Sequence, residues 1–306
     1  MSDARSILNL GIDVGGTKTY GVVLDGADKV VARGSSPTQK SAAGVQASVT
    51  GVARALAVEL GIDITGFASV GIGIPGMVDT CTGEVVSAVN LGFDRMPLAA
   101  AMAPVFQVPV CIDNDMKVAL RGAGLLLGTD SLVYLNIGTG VASAAMERGR
   151  VVRGTENIAG EIGHIIYEPG GPLCLCGQQG CLEAVLGGRY LVPRLAEAGV
   201  EWAGLGAMPK HPEYARCVGA LAWAISVLYL MYDPSVIALG GGVVGAASWL
   251  PEALSAELTT RAARAMFPDF KLIESRLRFP STTDRAEVGA IGAALVGRDS
   301  ADSTKG

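Results

Sequence analysis

The densest chemistry in the sequence lies between residues 161 and 183. His164 is followed by nine residues and Cys174, by one more and Cys176, and by four more and Cys181, so one imidazole and three thiols share a short stretch. Three thiolates and one imidazole complete a tetrahedral shell and leave no coordination position for water, the arrangement of structural rather than catalytic zinc. A redox pair is the competing reading. It is disfavoured because C-x-C closes a strained small ring, while Gly177 and Gly180 permit tight folding around a metal. Glu161, three positions before His164, and Glu183, two after Cys181, bracket this set. Carboxylates accept hydrogen bonds from hydroxyl groups, and a metal between them would hold both in register. Without that context the two glutamates are equally ordinary solvated helix ends.

Glycine turns form a second group. Asp13-x-Gly15-Gly16-Thr17-Lys18 leaves one strand and enters another, whereas a Walker loop needs eight fixed positions and a following helix, so this is not a P-loop. Asp13 is placed to hold a hydrated Mg²⁺, and Thr17 and Lys18 to donate to phosphate oxygens. Gly138-Thr139-Gly140 takes the same place in a second hairpin. Glycine lets the backbone approach an anion closely and leaves successive N–H groups free to meet its oxygens. One such turn is as readily a bare turn; two of them suit a polyphosphate. Gly241 and Gly242, after the apolar segment 236–239, put bare backbone where an adenosine could lie.

Phosphoryl transfer to a hydroxyl requires positioning, Mg²⁺ and a group that takes the proton as the nucleophile attacks. Asp115 fits that role. The apolar strand 108–112 runs into Asp113-Asn114-Asp115, where a helical pattern begins, and a helix N-terminus stabilises both a carboxylate and a nearby anion. The same three residues can also do no more than cap the helix.

The elements that must position these groups are legible from periodicity. Residues 8–31 and 132–152 each read as strand, glycine turn, strand, polar turn, strand, so one unit occurs twice. Val45, Val49, Val52, Leu56 and Leu60 recur at helical spacing before Gly61, a C-terminal cap; 68–74 is a buried strand; 116–127 and 286–296 are helical. This order suits α/β lobes with mixed sheets.

Bulk composition excludes several classes. With 24 basic and 29 acidic side chains in 306 residues the formal charge is −5, so nucleic acid is not an expected partner. The polar start, Met1 to Ser6, precedes only a short apolar stretch, too little for a secretory h-region, so the cytoplasm is expected. The apolar run 218–232 falls short of a bilayer span and reads as a buried helix rather than a membrane segment. Cys81, Cys111 and Cys217 stand apart and read as small buried hydrophobes.

Taken together, these motifs resemble the ROK family (repressors, open reading frames, kinases) of the actin and hexokinase superfamily. The likeness covers nearly the whole chain and includes Gly71 to Gly76, Asn90-Leu91, Asp113 to Asp115, Gly138 to Gly140, the Glu161 to Glu183 block, and Asp233-Pro234 through Gly242. It implies an α/β, two-lobed, actin-like ATPase (ribonuclease H-like) fold with mixed sheets and a duplicated β-hairpin. Residues 1–113 with helix 286–299 would form the small lobe, and residues 114–285 the large lobe with the zinc loop and sugar site. Implied ligands are ATP and Mg²⁺, with structural Zn²⁺ on His164, Cys174, Cys176 and Cys181. Gly76, Asn90, Asn114, Asp115, Glu161, His164 and Glu183 would contact the sugar, with Asp115 as the base.

The implied activity is ATP-dependent phosphorylation of the 6-hydroxyl of a hexose, glucose first, with N-acetylmannosamine, N-acetylglucosamine, allose or fructose as alternatives, in a homodimer or homotetramer. Two departures stand out. Met116-Lys117 follows Asp115 where many members have Ala-Asn, and Ala142 and Ser143 replace glycines after the second turn. Regulators of the same family carry an N-terminal helix-turn-helix, but here the first hairpin begins by Asn9, so a DNA-reading unit is not expected.

Overall fold

Strand β1 (Asn9–Val14) turns at Gly15-Gly16 into β2 (Lys18–Leu24), which turns again into β3 (Val30–Pro37), giving the first antiparallel meander. The computed structural model describes residues 7–203, 208, 210–264, 271–279 and 282–303, so the polar start Met1 to Ser6 lies outside the described residues. β1 is buried on both faces, with Leu10, Ile12 and Val14 on one and Asn9 and Gly11 on the other, whereas β3 alternates as an edge strand does and ends at Pro37, which lacks a ladder donor. Helix α1 (Ala42–Glu59) starts where the Ser41 hydroxyl accepts the Gly44 N–H, and it buries Val45, Val49, Val52 and Leu56 at the spacing read from the sequence.

The chain then crosses to β4 (Ser69–Ile74), parallel to β1, and makes the short hairpin of β5 (Met77–Asp79) and β6 (Glu84–Ser87). Helix α2 (Leu98–Phe106) leads to β7 (Val110–Asn114), parallel to β4, and α3 (Asp115–Leu127) follows without a break. Sheet order is β3-β2-β1-β4-β7.

A second sheet repeats this plan. β8 (Leu132–Ile137), β9 (Val141–Glu147) and β10 (Arg150–Val151) form another antiparallel meander. Three helices follow: α4 (Leu182–Leu186), α5 (Gly188–Glu197) and α6 (Pro212–Tyr232). β11 (Val236–Gly240) then pairs parallel to β8, α7 (Gly242–Ala246) and α8 (Leu250–Arg264) come next, and the one-turn α9 (Ile273–Arg276) precedes β12 (Leu277–Arg278), parallel to β11. The order β10-β9-β8-β11-β12 matches the first sheet strand for strand in sense, which is the duplication expected from the two glycine hairpins.

Helix α10 (Thr282–Ser303) packs onto the first sheet. Gly11 and Gly71 make that approach possible, because a Cβ at either would collide with the backbone carbonyls of Ala290 and Ala293.

The chain divides into two compact units, one of 1–128, 154–158 and 286–306, the other of 129–153 and 159–285. The sequence boundary at residue 113 therefore differs from the structural one. Helix α3 packs with β4 and β7 and so belongs to the first unit. Two further readings change. α6 has 21 residues and is long and apolar enough to cross a membrane, so length does not distinguish it; its Tyr214, Cys217, Leu221, Ile225 and Leu228 fill the core of the second unit instead. Of the isolated cysteines only Cys217 is buried, Cys111 being half-buried and Cys81 exposed after the Asp79 turn.

Candidate active site

In the first unit, three of the four carbonyls of the Gly15 to Lys18 turn are engaged. Gly15 O accepts from the Thr38 hydroxyl at 2.8 Å, Thr17 O from the Thr38 N–H at 3.0 Å, and Lys18 O from the Gly15 N–H at 3.0 Å. The N–H groups of Gly16 and Thr17 have no hydrogen-bond partner among the described residues. A turn whose acceptors are mostly satisfied and whose donors are open is suited to an anion. Thr38, which the sequence reading passed over, does the bracing; its only sequence signal was a hydroxyl just after a strand. Lys18 is exposed, with Nζ 5.3 Å from the centre of the Tyr20 ring.

Asp13 ends in a cradle formed by glycines. A Cβ on Gly289 of α10 would collide with its Oδ2, and one on Gly73 would lie 3.4 Å from its Oδ1. The side chain keeps a small window to solvent, yet the protein enclosing it leaves the carboxyl poorly hydrated. Burial, aided by the charge of Asp115, pushes its pKa up to about 7. A buried carboxyl held this way is suited to a divalent cation, whose charge would restore the ionised form.

At the β7–α3 junction, Asn114 is the N-cap: its Oδ1 accepts from the Met116 N–H at 3.0 Å, and its Nδ2 donates to the Gly76 carbonyl at 3.1 Å. Asp115 Oδ1 also accepts from that N–H, at 2.9 Å, which sets the carboxyl on the first turn of α3. The capping role and a substrate role are thus compatible for Asn114, whose Oδ1 and Nδ2 each retain a further hydrogen-bonding position. Gly76, at φ 108°, could carry no side chain without striking the Ser87 carbonyl. Asn90 is exposed on a single 3₁₀ turn, Val89–Leu91, beyond β6. Met116 and Lys117, the departures after Asp115, are both buried, Lys117 to 2% exposure. Asn157, unmarked in the sequence reading, sits at φ 60° and donates to the Val78 carbonyl at 3.2 Å, tying segment 154–158 to β5.

In the second unit, the Gly138 to Gly140 turn repeats the electronic arrangement of the first. Gly138 O accepts from Gly188 N–H at 2.8 Å, Thr139 O from Arg189 N–H at 3.1 Å, and Gly140 O from Gly138 N–H at 3.0 Å. The N–H groups of Thr139 and Gly140 have no partner among the described residues. Gly241, at φ 92°, packs on the same turn, a Cβ there falling 2.8 Å from Gly138 N. Beside it lies a cavity of about 630 Å³ lined by Val192, Leu195 and Ala196 of α5, Trp202, and Gly242 and Val243 of α7. Trp202 Nε1 donates to the Val243 carbonyl at 2.7 Å and fixes one wall.

The thiol loop brings His164, Cys174, Cys176 and Cys181 together, with their ligand atoms all within 4.8 Å of one another. Cys174 Sγ lies 3.7 Å from His164 Nδ1 and Cys176 Sγ 3.6 Å from Cys181 Sγ. Ligands about 2.0–2.3 Å from a shared tetrahedral ion are separated by about 3.5–3.8 Å, so the donor set fits zinc. Gln178 Nε2 donates to the sulfurs of Cys176 and Cys181 and to the His164 carbonyl, and Tyr190 donates to Cys174 Sγ. Cys181 is also the residue from which α4 starts, which puts this cluster two positions before Glu183 in the first turn of that helix. Glu161, exposed, precedes the 3₁₀ turn Ile162–His164. Ser143, one of the departures, clamps the preceding residue: its hydroxyl and its N–H both bond the Gly160 carbonyl, at 3.0 and 2.8 Å.

Comparison with known proteins places this arrangement in context. A family model described as ROK family matches residues 9–299. A glucokinase of Halalkalibacterium halodurans is 31% identical over 268 residues, which cover 76% of this chain and 80% of that protein. Among solved structures, a ROK hexokinase from Thermus thermophilus superposes with a TM-score of 0.78 at 27% identity, covering 98% of this chain and all of that one. A ROK glucokinase from Streptomyces griseus, in complex with glucose and AMPPNP, gives 0.75 at 25% identity, covering 95% and 99%.

Proposed function

Because the chain belongs to the ROK family and has the actin-like ATPase fold of its relatives, we propose that it is an ATP-dependent hexose kinase that phosphorylates the sugar 6-hydroxyl, with glucose as the first acceptor. The observation that supports this reading is the pair of glycine turns, each with three carbonyls hydrogen-bonded and two N–H groups left open for phosphate oxygens among the described residues. No single bare turn would require that duplication.

In this reading Gly15, Gly16, Thr17 and Lys18 meet one part of the polyphosphate, and Gly138, Thr139 and Gly140 another. Asp13 would hold the hydrated Mg²⁺ that neutralises charge on the transferred group. The adenosine would lie over Gly241 and Gly242, with its base in the cavity beside α5 and α7. Gly76, Asn90, Asn114, Glu161, His164 and Glu183 would hold the sugar hydroxyls, and Asp115 would accept the proton of the attacking 6-hydroxyl. The Asn114 amide keeps Asp115 and Gly76 in one register. Zinc bound by His164, Cys174, Cys176 and Cys181 would supply structural order to the loop that carries the glutamates. Three thiols poised for metal suit the reducing cytoplasm, and a homodimer or homotetramer completes the proposal.

A coupled assay of ADP release over a panel of sugars tests this. Glucose-dependent release is expected, with N-acetylmannosamine, N-acetylglucosamine, allose and fructose as the alternatives in the same panel. Absence of sugar-dependent release from a folded, metal-replete protein would overturn it.

A further inference from the structure

The carboxylate of Glu183 does more in the second unit than a sugar contact requires. Its Oε2 accepts the Val141 N–H at 3.0 Å, and Val141 is the residue directly after Gly138-Thr139-Gly140. It also lies flat against Gly140, where a Cβ would be 3.2 Å from the Glu183 carboxyl carbon and would collide with Oε2. Backbone bonds complete the grip. The Gly187 N–H donates to Glu183 O at 2.7 Å, and the next two N–H groups, of Gly188 and Arg189, hold the carbonyls of Gly138 and Thr139. One turn of backbone is therefore fastened by α4 and the α4–α5 junction at three points, and the only side chain among these is Glu183. Its other oxygen, Oε1, has no hydrogen-bond partner among the described residues.

The geometry points to Glu183 as a positioning residue for the second phosphate turn, using one oxygen to hold that turn ready for the nucleotide and leaving the other for a sugar hydroxyl. This rests on the kinase reading above. The physical reason is preorganisation: a turn already held open need not be ordered when phosphate arrives, and a charge-assisted bond holds it more firmly than a neutral one. Glu161 provides the contrast. It is exposed, and no bond joins its side chain to the turn among the described residues.

The test is calorimetric titration with ADP and Mg²⁺, sugar absent, of the full chain and of Glu183→Ala, Glu183→Gln and Glu161→Gln. Removing Glu183 is expected to weaken ADP binding about tenfold and Glu183→Gln about threefold, since a neutral acceptor forms a weaker bond. Glu161→Gln should bind ADP like the parent while losing sugar affinity. If Glu183→Ala does not fold, as judged by its thermal melt, the isosteric Glu183→Gln decides alone. ADP affinity unchanged in the Glu183 variants, or lowered equally in Glu161→Gln, would overturn the inference. A parent chain that fails to bind ADP at all would instead overturn the kinase reading, so the two failures are distinct.

Discussion

Asn114 joins the start of α3 to the carbonyl of Gly76: its Nδ2 donates to Gly76 O at 3.1 Å while its Oδ1 caps the helix through the Met116 N–H. One side chain thus sets the spacing of two candidate sugar contacts and of the carboxylate that follows it. Truncation to Ala removes both bonds and is expected to lower stability by about 1 kcal/mol, a few degrees in a melt, with loss of sugar affinity. Asn114→Asp retains a cap acceptor but cannot donate to Gly76. It should keep most of the thermal stability and still bind sugar weakly. Thermal melts and sugar titrations of both variants check this, and an Asn114→Ala melt equal to the parent would contradict it.

Asp13 sets a pH dependence opposite to the usual carboxylate. Its folded pKa, raised to about 7 by burial and by Asp115, lies above that of the unfolded chain, so the native state binds more protons between the two values. Stability from this group is therefore full below about pH 4 and declines as pH rises to about 7. Asp13→Asn should raise the melting temperature at pH 8 more than at pH 5, by up to about 4 kcal/mol of stabilisation, because it removes the buried charge. The same change should abolish turnover, a trade of stability for function. In the parent, kcat/KM for ATP should fall below about pH 7, as protonation removes the ligand for Mg²⁺. Melts at the two pH values and a pH–rate profile measure both effects.

The thiol loop predicts one zinc per chain. Metal analysis of purified protein should give that stoichiometry, and Cys176→Ser should lose it. Since a ligand present at 10²–10³ times its dissociation constant stabilises by about 3–4 kcal/mol, stripping the metal with a strong chelator should destabilise the chain by at least about 3 kcal/mol. Sugar affinity should fall with it, because Cys181 starts the helix that carries Glu183. A metal-free protein with the same melt and sugar affinity would remove zinc from the account.

How far the sequence revealed this architecture follows from the strength of each local signal. The two meanders were legible because glycines punctuate apolar strands, and α1 because Val45, Val49, Val52 and Leu56 mark one face over 18 residues. The β5–β6 hairpin was not, since three- and four-residue strands are too short for a period. Helix α5 was hidden by the Gly187-Gly188 pair at its start and Pro193 within it; tertiary bonds from Gly188 and Arg189 to the second turn override those breakers. The clustering of His164 with Cys174, Cys176 and Cys181 was readable from spacing alone. The bracing of the turns was not, because Thr38 and Glu183 reach them only once the strands pair and α4 forms. Asn157 was missed for the same reason: nothing in its neighbours shows that the chain returns to β5.

The central claim, that Asp115 accepts the proton in phosphoryl transfer to a sugar, is tested most directly by comparing Asp115→Ala with the parent in glucose titration and coupled ADP release. Loss of a general base is expected to reduce kcat by about 10²–10⁴-fold, while glucose binding persists through Asn114, Glu161, His164 and Glu183. A folded Asp115→Ala protein that turns over at the parent rate would contradict the account.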